Sequence, residues 1–344
     1  MSQDQELTKK KLSALWDSKE VEELDTEGKK YVIMSDVHLG DGGRADDLRR
    51  NERALETALD YYNKNGYSLI LLGDIEEFWQ FDLAKIAQRY RETVYSRIRA
   101  FKDERVYRVW GNHDSEWGTL DDPARNRPIR PKCAEEALKM KDKDGKGCIL
   151  LVHGHQGSTE SDKDSWCSRF WVRMYRKIEP YIKIDPHRSA TKSQITKDYE
   201  RILYSWAKNA KCILICGHSH RAIFASKSYV ERLEEEIRGL QRDNAHGTVS
   251  RKVRKQEIKE RKKKLRRESK KGRRIDPAEP HGEPLPCYFN TGCALYTDGI
   301  TAIEIAKDEI RLVKWDREVE SGAEPEEYQS GSLSEYIDRV VRSR

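Results

Sequence analysis

Apolar residues in this chain fall into short runs separated by charged stretches. Residues 31–34 read as a buried strand that stops at Ser35-Asp36. Residues 69–72 form a second such run, ending at Gly73-Asp74, and residues 106–110 a third, ending at Gly111-Asn112. Residues 148–152 and 212–216 are the fourth and fifth, followed by His153 and by Gly217-His218. Between the first two runs, Leu48, Leu55 and Leu59 recur near helical spacing over residues 46–65, with Gly66 as the stop. A second helix is predicted over residues 78–101. Residues 287–290, 294–297, 301–305 and 310–315 read as later β runs, with Asp298-Gly299 as a hairpin turn. Residues 1–29 are polar and predict a loosely attached helix.

Fully apolar strands alternating with helices predict an α/β fold in layers. Ligands of open α/β sheets sit beyond the C-terminal strand ends. Here each of the five early strands ends in Asp, Asn or His.

Composition narrows the class. Only 36% of the residues are hydrophobic and 37% are charged, but eight Trp and sixteen Tyr are too many for a wholly disordered chain. No apolar run approaches the roughly 20 residues of a membrane span. The start, Met1-Ser2-Gln3-Asp4, has no apolar leader segment. Seven cysteines without a CxxC pair do not make a disulfide framework, so a reducing, cytoplasmic setting is expected.

Charge is concentrated. Residues 250–275 hold fifteen Lys/Arg against three Asp/Glu, a net of +12, whereas the whole chain carries +6 and its remainder therefore −6. Such an arm suits nucleic acid, an anionic lipid surface or an acidic protein face, although most charge runs are simply solvated.

Read in order, the strand ends give Asp36-x-His38, Gly73-Asp74, Gly111-Asn112-His113-Asp114, His153-Gly154-His155 and Gly217-His218-x-His220. Carboxylate oxygen and imidazole nitrogen suit Mn²⁺, Fe or Zn²⁺. Each piece alone is weak, since Gly-Asp is a common turn and a lone His after a strand is usually structural. Five in order, each after an apolar strand, outweigh that reading. Seven such ligands with one shared carboxylate suffice for two metal ions about 3.5–4 Å apart.

This series resembles that of the calcineurin-like metallophosphoesterase superfamily over residues 31–305, interrupted by the basic arm. The resemblance implies a two-sheet β-sandwich flanked by helices, here with a helical, strongly basic insertion. It implies two divalent metal ions, Mn first and Fe or Zn as alternatives. Asp36, His38, Asp74 and His220 would hold one. Asp74, Asn112, His153 and His218 would hold the other, with Asp74 bridging. His113 would serve as acid or phosphate-binding cation, and a bridging hydroxide would attack phosphorus. Asp114 or Glu77 would orient His113, with a surface or supporting role equally open to each and to Glu76. His155, Arg44 and Asn290 (in Phe289-Asn290-Thr291-Gly292) are further candidates for substrate contact.

The implied domains are a charged extension (1–29), a phosphoesterase domain (30–226 and 285–315) with a helical cap-like insertion (156–211), a basic helical or disordered insertion (227–284), and an acidic tail (316–344). The expected substrate is a phosphorylated small molecule or a nucleotide-linked compound. The segments Ser35-Asp36-Val37-His38-Leu39-Gly40 and Gly73-Asp74-x-x-Glu77-Phe78-Trp79 resemble those of UDP-2,3-diacylglucosamine pyrophosphohydrolases. In the insertion, Trp166, Phe170, Met174, Ile178 and Ile182 recur every four residues, and Arg169, Arg173, Arg176 and Lys177 lie off that stripe. Such a basic amphipathic helix suits a peripheral membrane site or an ordinary packed helix. Against that branch, His113 stands where it usually has arginine, and His155 where it usually has aspartate. The same five motifs occur in nucleases of the superfamily, which would use the arm to hold nucleic acid. A scaffold reading rests on Val230, Leu233, Ile237 and Leu240, a heptad pattern too short for a confident coiled coil.

Overall fold

The computed structural model describes residues 3–118, 129, 131–132, 134–142, 147–157, 190–242, 251–269 and 284–343. In chain order its first elements are α1 (Gln3–Asp17), β1 (Glu23–Asp25), β2 (Lys30–Met34), α2 (Glu52–Lys64), β3 (Ser68–Leu72), α3 (Leu83–Tyr90), α4 (Val94–Ala100) and β4 (Val106–Val109). Then come β5 (Ala134–Glu135), β6 (Ala137–Lys141), β7 (Gly147–Val152), α5 (Ala190–Ala210), β8 (Ile213–Cys216), β9 (Ala222–Phe224) and β10 (Lys227–Ser228). The last are α6 (Tyr229–Arg242), α7 (Arg251–Ser269), β11 (Tyr288–Thr291), β12 (Gly299–Ala306), β13 (Glu309–Asp316), β14 (Glu326–Ser332) and α8 (Leu333–Val341).

The strands form two seven-stranded sheets, ordered β14-β13-β12-β2-β3-β4-β5 and β1-β6-β7-β8-β11-β9-β10. Within them, β2, β3 and β4 run parallel, as do β7, β8 and β11. Strand alternation divides the core. Tyr31, Ile33, Ile70 and Leu72 enter a cluster shared with Ile149, Ile213, Ile215 and Phe289 of the other sheet. Val32, Met34, Leu69 and Leu71 turn outward to Leu55, Leu59, Ile86 and Ile98 of the helices. Both faces are covered, which is why these strands are apolar throughout. Each such side chain contributes about 1.5–3 kcal/mol on burial. The result is the sandwich flanked by helices that the resemblance implied.

Several elements differ from the sequence reading. The helix expected over 78–101 is two helices, α3 and α4, entered at Asp82 and Thr93 in non-helical backbone. The segment before them is tied to neighbouring loops, with Glu77 N–H donating to Leu39 O (3.1 Å) and Phe78 N–H to His113 O (3.1 Å). The helix expected from residue 46 is interrupted at Asn51, whose buried side chain donates to Ala294 O (2.8 Å) and Tyr296 O (2.7 Å). Those bonds, with Ala294 N–H on Asp36 O (3.1 Å), occupy residues 294–297, which form no strand beyond one bridge between Tyr296 and Gly299. The helix α1 is docked: Leu12 is buried and Trp206 Nε1–H of α5 donates to Ser13 Oγ (3.0 Å). After residue 316 the chain adds β14 and α8, which bury Leu333, Tyr336 and Val340 in the inter-sheet core. The apolar stripe from Trp166 to Ile182 and its basic neighbours lie outside the described residues. No helix among the described residues is long and apolar enough to cross a membrane.

Candidate metal centre

Parallel strands place five loops at one end of the sandwich, and backbone bonds lock them together. Asp36 N–H donates to Gly73 O (3.0 Å) and His38 N–H to Asp74 O (3.0 Å), joining the loops after β2 and β3. Gly217 N–H donates to His153 O (2.9 Å), joining those after β7 and β8. His218 N–H donates to Asp36 Oδ2 (2.9 Å), crossing from one sheet to the other. Asp36, His38, Asp74, His218 and His220 all have left-handed backbone, with φ between 51° and 65°. That region is unfavourable for residues with a side chain and persists only where surrounding contacts impose it. Gly73, at φ 83°, and Gly111 leave no room for a Cβ: one at Gly73 would strike the His153 ring, and one at Gly111 the Asp74 carboxylate.

Among the described residues these constraints gather donor atoms into three groups whose members lie within 4.8 Å of one another: Asp36, His38 and His220; Asp74, His153 and His218; and His38, Glu77 and His113, which shares His38 with the first. In the first, His220 Nε2 lies 3.1 Å from Asp36 Oδ1 and 3.3 Å from His38 Nε2. In the second, His153 Nε2 lies 3.0 Å from Asp74 Oδ2. His153 spends its Nδ1 proton on Leu72 O (2.9 Å), so in the neutral ring Nε2 presents a lone pair to the carboxylate.

Glu77 is the residue that organises the histidines. Its Oε2 accepts from His38 Nδ1 (2.9 Å) and its Oε1 from His113 Nδ1 (2.8 Å). This fixes both rings with Nε2 as the open atom. The His113 ring also stacks on Trp79, with centroids 4.0 Å apart and planes at 22°. Trp79 in turn donates from Nε1 to Asn112 O (2.9 Å). The His113 side chain is 21% exposed, in contrast to the buried ring of His153.

The charges are strongly coupled. Burial works against ionising Glu77 and Asp74. The histidines beside them nevertheless hold both carboxyls well below the carboxylate range. Burial likewise opposes a charge on His38 and His153. Glu77 raises His38 to about 9, and Asp74 with Asp36 raises His153 to about 10. His218 is pushed down to about 3 by burial and by the neighbouring His153 charge.

The other expected residues sit around this centre. Asp114 does not touch the His113 ring. It accepts from Gly111 N–H (2.6 Å), Ile75 N–H (2.8 Å) and Arg108 Nη2 (2.6 Å). Glu76 also pairs with the wholly buried Arg108 and accepts from Tyr95 Oη and Trp117 Nε1, each at 3.0 Å. Asn290 is buried and donates to Gly217 O (2.5 Å) and Ser219 Oγ (3.2 Å), which pins the loop carrying His218 and His220. His155 is buried beside the centre, its ring 5.6 Å from those of His153 and Trp110. Arg44 is exposed and hydrogen-bonds none of the cluster. The sequence reading gave Trp79 no role of its own, because a tryptophan after two acids carries no signal until the His113 loop is laid over it.

The residues fit a cation. Asn112 Oδ1 and, in the neutral ring, His153 Nε2 are buried lone-pair atoms with no hydrogen-bond partner. A divalent ion satisfies such lone pairs, and nitrogen with oxygen donors suits borderline and hard metals alike. Comparison with curated proteins finds no match. The model of the calcineurin-like phosphoesterase family matches residues 29–222, more than half of the chain and the stretch that carries all five ligand-bearing loops. By its fold, its donor clusters and this match, the chain belongs to the calcineurin-like phosphoesterases, a family of metal-dependent phosphoester hydrolases.

Proposed function

We propose that the chain hydrolyses a phosphoester or pyrophosphate bond in a phosphorylated small molecule or nucleotide-linked compound, with two Mn²⁺ ions as the working cofactor. Asp36, His38, Asp74 and His220 hold one ion. Asp74, Asn112, His153 and His218 hold the other. The observation that carries this reading is the pair of buried polar atoms without a hydrogen-bond partner, His153 Nε2 and Asn112 Oδ1, the first of them 3.0 Å from Asp74 Oδ2. When bound, two such cations polarise a phosphoryl group and lower the pKa of water.

The chain's own groups do the rest. Glu77 holds the Nδ1 proton of His113, and Trp79 covers one face of the ring. The imidazole therefore presents Nε2, and its protonated form can give that proton to the leaving oxygen. Glu77 keeps its negative charge in this setting and so stabilises the imidazolium. Asp114 and Arg108 keep the Gly111 loop against the Ile75 loop, which maintains the spacing of Asn112 and Asp74.

The test is a hydrolase screen on metal-stripped protein with Mn²⁺ restored. It spans p-nitrophenyl phosphate, bis-p-nitrophenyl phosphate and nucleotide-sugar diphosphates, with Asp74→Asn as control. Manganese-dependent turnover that the variant lacks supports the assignment. Full turnover and full metal content in Asp74→Asn overturn it.

A further inference from the structure

The helix α7 separates its charges by face. Arg254, Glu257, Ile258, Arg261 and Leu265 are the buried or half-buried residues among those described, and the helix packs on α6. Arg261 Nε donates there to Glu236 (2.6 Å). On α6, Leu233 and Ile237 are buried. Two acids of α7 are engaged within the helix: Glu257 lies 3.6 Å from Arg261, and Glu260 accepts from Gln256 (2.8 Å). Lys264 reaches Glu326 of β14 at 3.0 Å, which links this helix pair to the edge of the other sheet.

Lys255, Lys259, Lys262, Lys263 and Arg266 remain. Helical spacing puts these five within about 100° of arc and along about 17 Å of axis. All five are exposed, and none has an acidic partner among the described residues. They form a continuous cationic stripe with no acid in it, on a helix packed against α6, in a chain whose charge outside residues 250–275 is −6.

We infer that this stripe binds the phosphate backbone of a double-stranded nucleic acid. The ligand must be a polyanion with closely and regularly spaced charges, since the stripe offers nothing else to recognise. A bilayer fits poorly. Helices that lie on lipid insert an apolar face, whereas Ile258 and Leu265 of α7 are half-buried and its one exposed large apolar residue among those described, Val253, lies off the stripe. A single strand also fits poorly, because binding it relies on aromatic platforms and α7 has no aromatic residue. A duplex asks only for cations at phosphate spacing and a rod that lies along or within a groove. This inference does not depend on the metal-centre reading, and its test is read without hydrolysis.

The test is fluorescence anisotropy of the full chain with a short labelled DNA duplex, in EDTA, over a series of salt concentrations. Five phosphate contacts predict a log–log salt slope of about −4.5. Replacing all five stripe residues by glutamine should weaken binding at low salt by more than about 100-fold and flatten that slope. A companion with arginine at the four lysine positions should bind as the parent does. Absence of duplex binding at low salt overturns the inference, as does unchanged affinity in the glutamine variant. So does tighter binding to phosphatidylserine vesicles, or to a single strand, than to the duplex.

Discussion

His153 Nε2 and Asp74 Oδ2 lie 3.0 Å apart in the buried centre, with the other ring nitrogen of His153 already donating to Leu72 O. Neither facing atom owns a proton when the ring is neutral, so the contact requires a positive charge between or upon them. Asp74→Asn removes half of that requirement. The expected result is loss of bound metal together with loss of turnover, read by elemental analysis and by phosphoester hydrolysis. A variant that keeps its metal but not its turnover would contradict this role for Asp74.

Arg108 is wholly buried and holds Glu76 and Asp114 at once, with Trp117 packed on its guanidinium at 4.0 Å. Removing one partner of a buried ion pair leaves an uncompensated charge, typically at about 3–5 kcal/mol. Arg108→Met should therefore lose about that much in urea unfolding. Adding Glu76→Gln to it should restore part of the loss, because the second charge goes too. A single variant as stable as the parent would remove this triad from the account of why the loops hold their spacing.

Cys148, Cys212, Cys216, Cys287 and Cys293 are buried and in no disulfide. Burial pushes Cys148 and Cys287 up to about 12 and the thiols of Cys212 and Cys216 above the ordinary range. An acid whose pKa is higher folded than unfolded loses stability as pH rises, because the unfolded thiol gives up its proton first. Stability should thus fall above the unfolded thiol value of about 8.5 and keep falling toward 12. Iodoacetamide at pH 8 should modify no more than two of the seven cysteines in the native protein and all seven in denaturant. Modification of any of the five in the folded chain, located by peptide mapping, would refute this.

The strand ends were legible in the sequence because burial on both faces made β2, β3, β7 and β8 apolar beyond their first residues, and β4 apolar but for Arg108, so the Asp, Asn and His residues after them stood out. Which sheet each strand joins was not legible, since a buried parallel strand looks the same in either. The strand β6 escaped notice: Ala137-Leu138-Lys139-Met140-Lys141 includes two lysines, yet Lys139 is buried with its ammonium on Ser18 O (2.6 Å). The tail after residue 316 read as acidic, but Leu333, Tyr336 and Val340 form a helical stripe within it. Asp114 and Glu77 could not be told apart as partners of His113. They differ only in which loop crosses the His113 ring, and that is set by the β3–β4 register.

Glu77 carries a prediction that separates metal retention from chemistry. Its two oxygens accept from the Nδ1 atoms of His38 and His113, and both rings present Nε2 as a consequence. In Glu77→Gln one oxygen becomes an amide NH₂, which cannot accept from a ring N–H. One of the two histidines must then turn its Nδ1 into an acceptor and place its proton on Nε2. On His38 this would disable the atom that faces His220 and Asp36, and metal content should fall. On His113 it would fix the ring in the opposite neutral tautomer and remove the anion that stabilises its imidazolium. Loss of such a partner typically lowers metal affinity or activity by about 10- to 100-fold. Two further variants divide the effect. His38→Ala should lose metal, whereas His113→Ala should keep it and lose about 10²- to 10⁴-fold in kcat, the range of a positioned acid. Metal content and kcat together therefore report which ring Glu77→Gln has disturbed. Parental values of both in that variant would show that the carboxylate between the two rings does not set their tautomers.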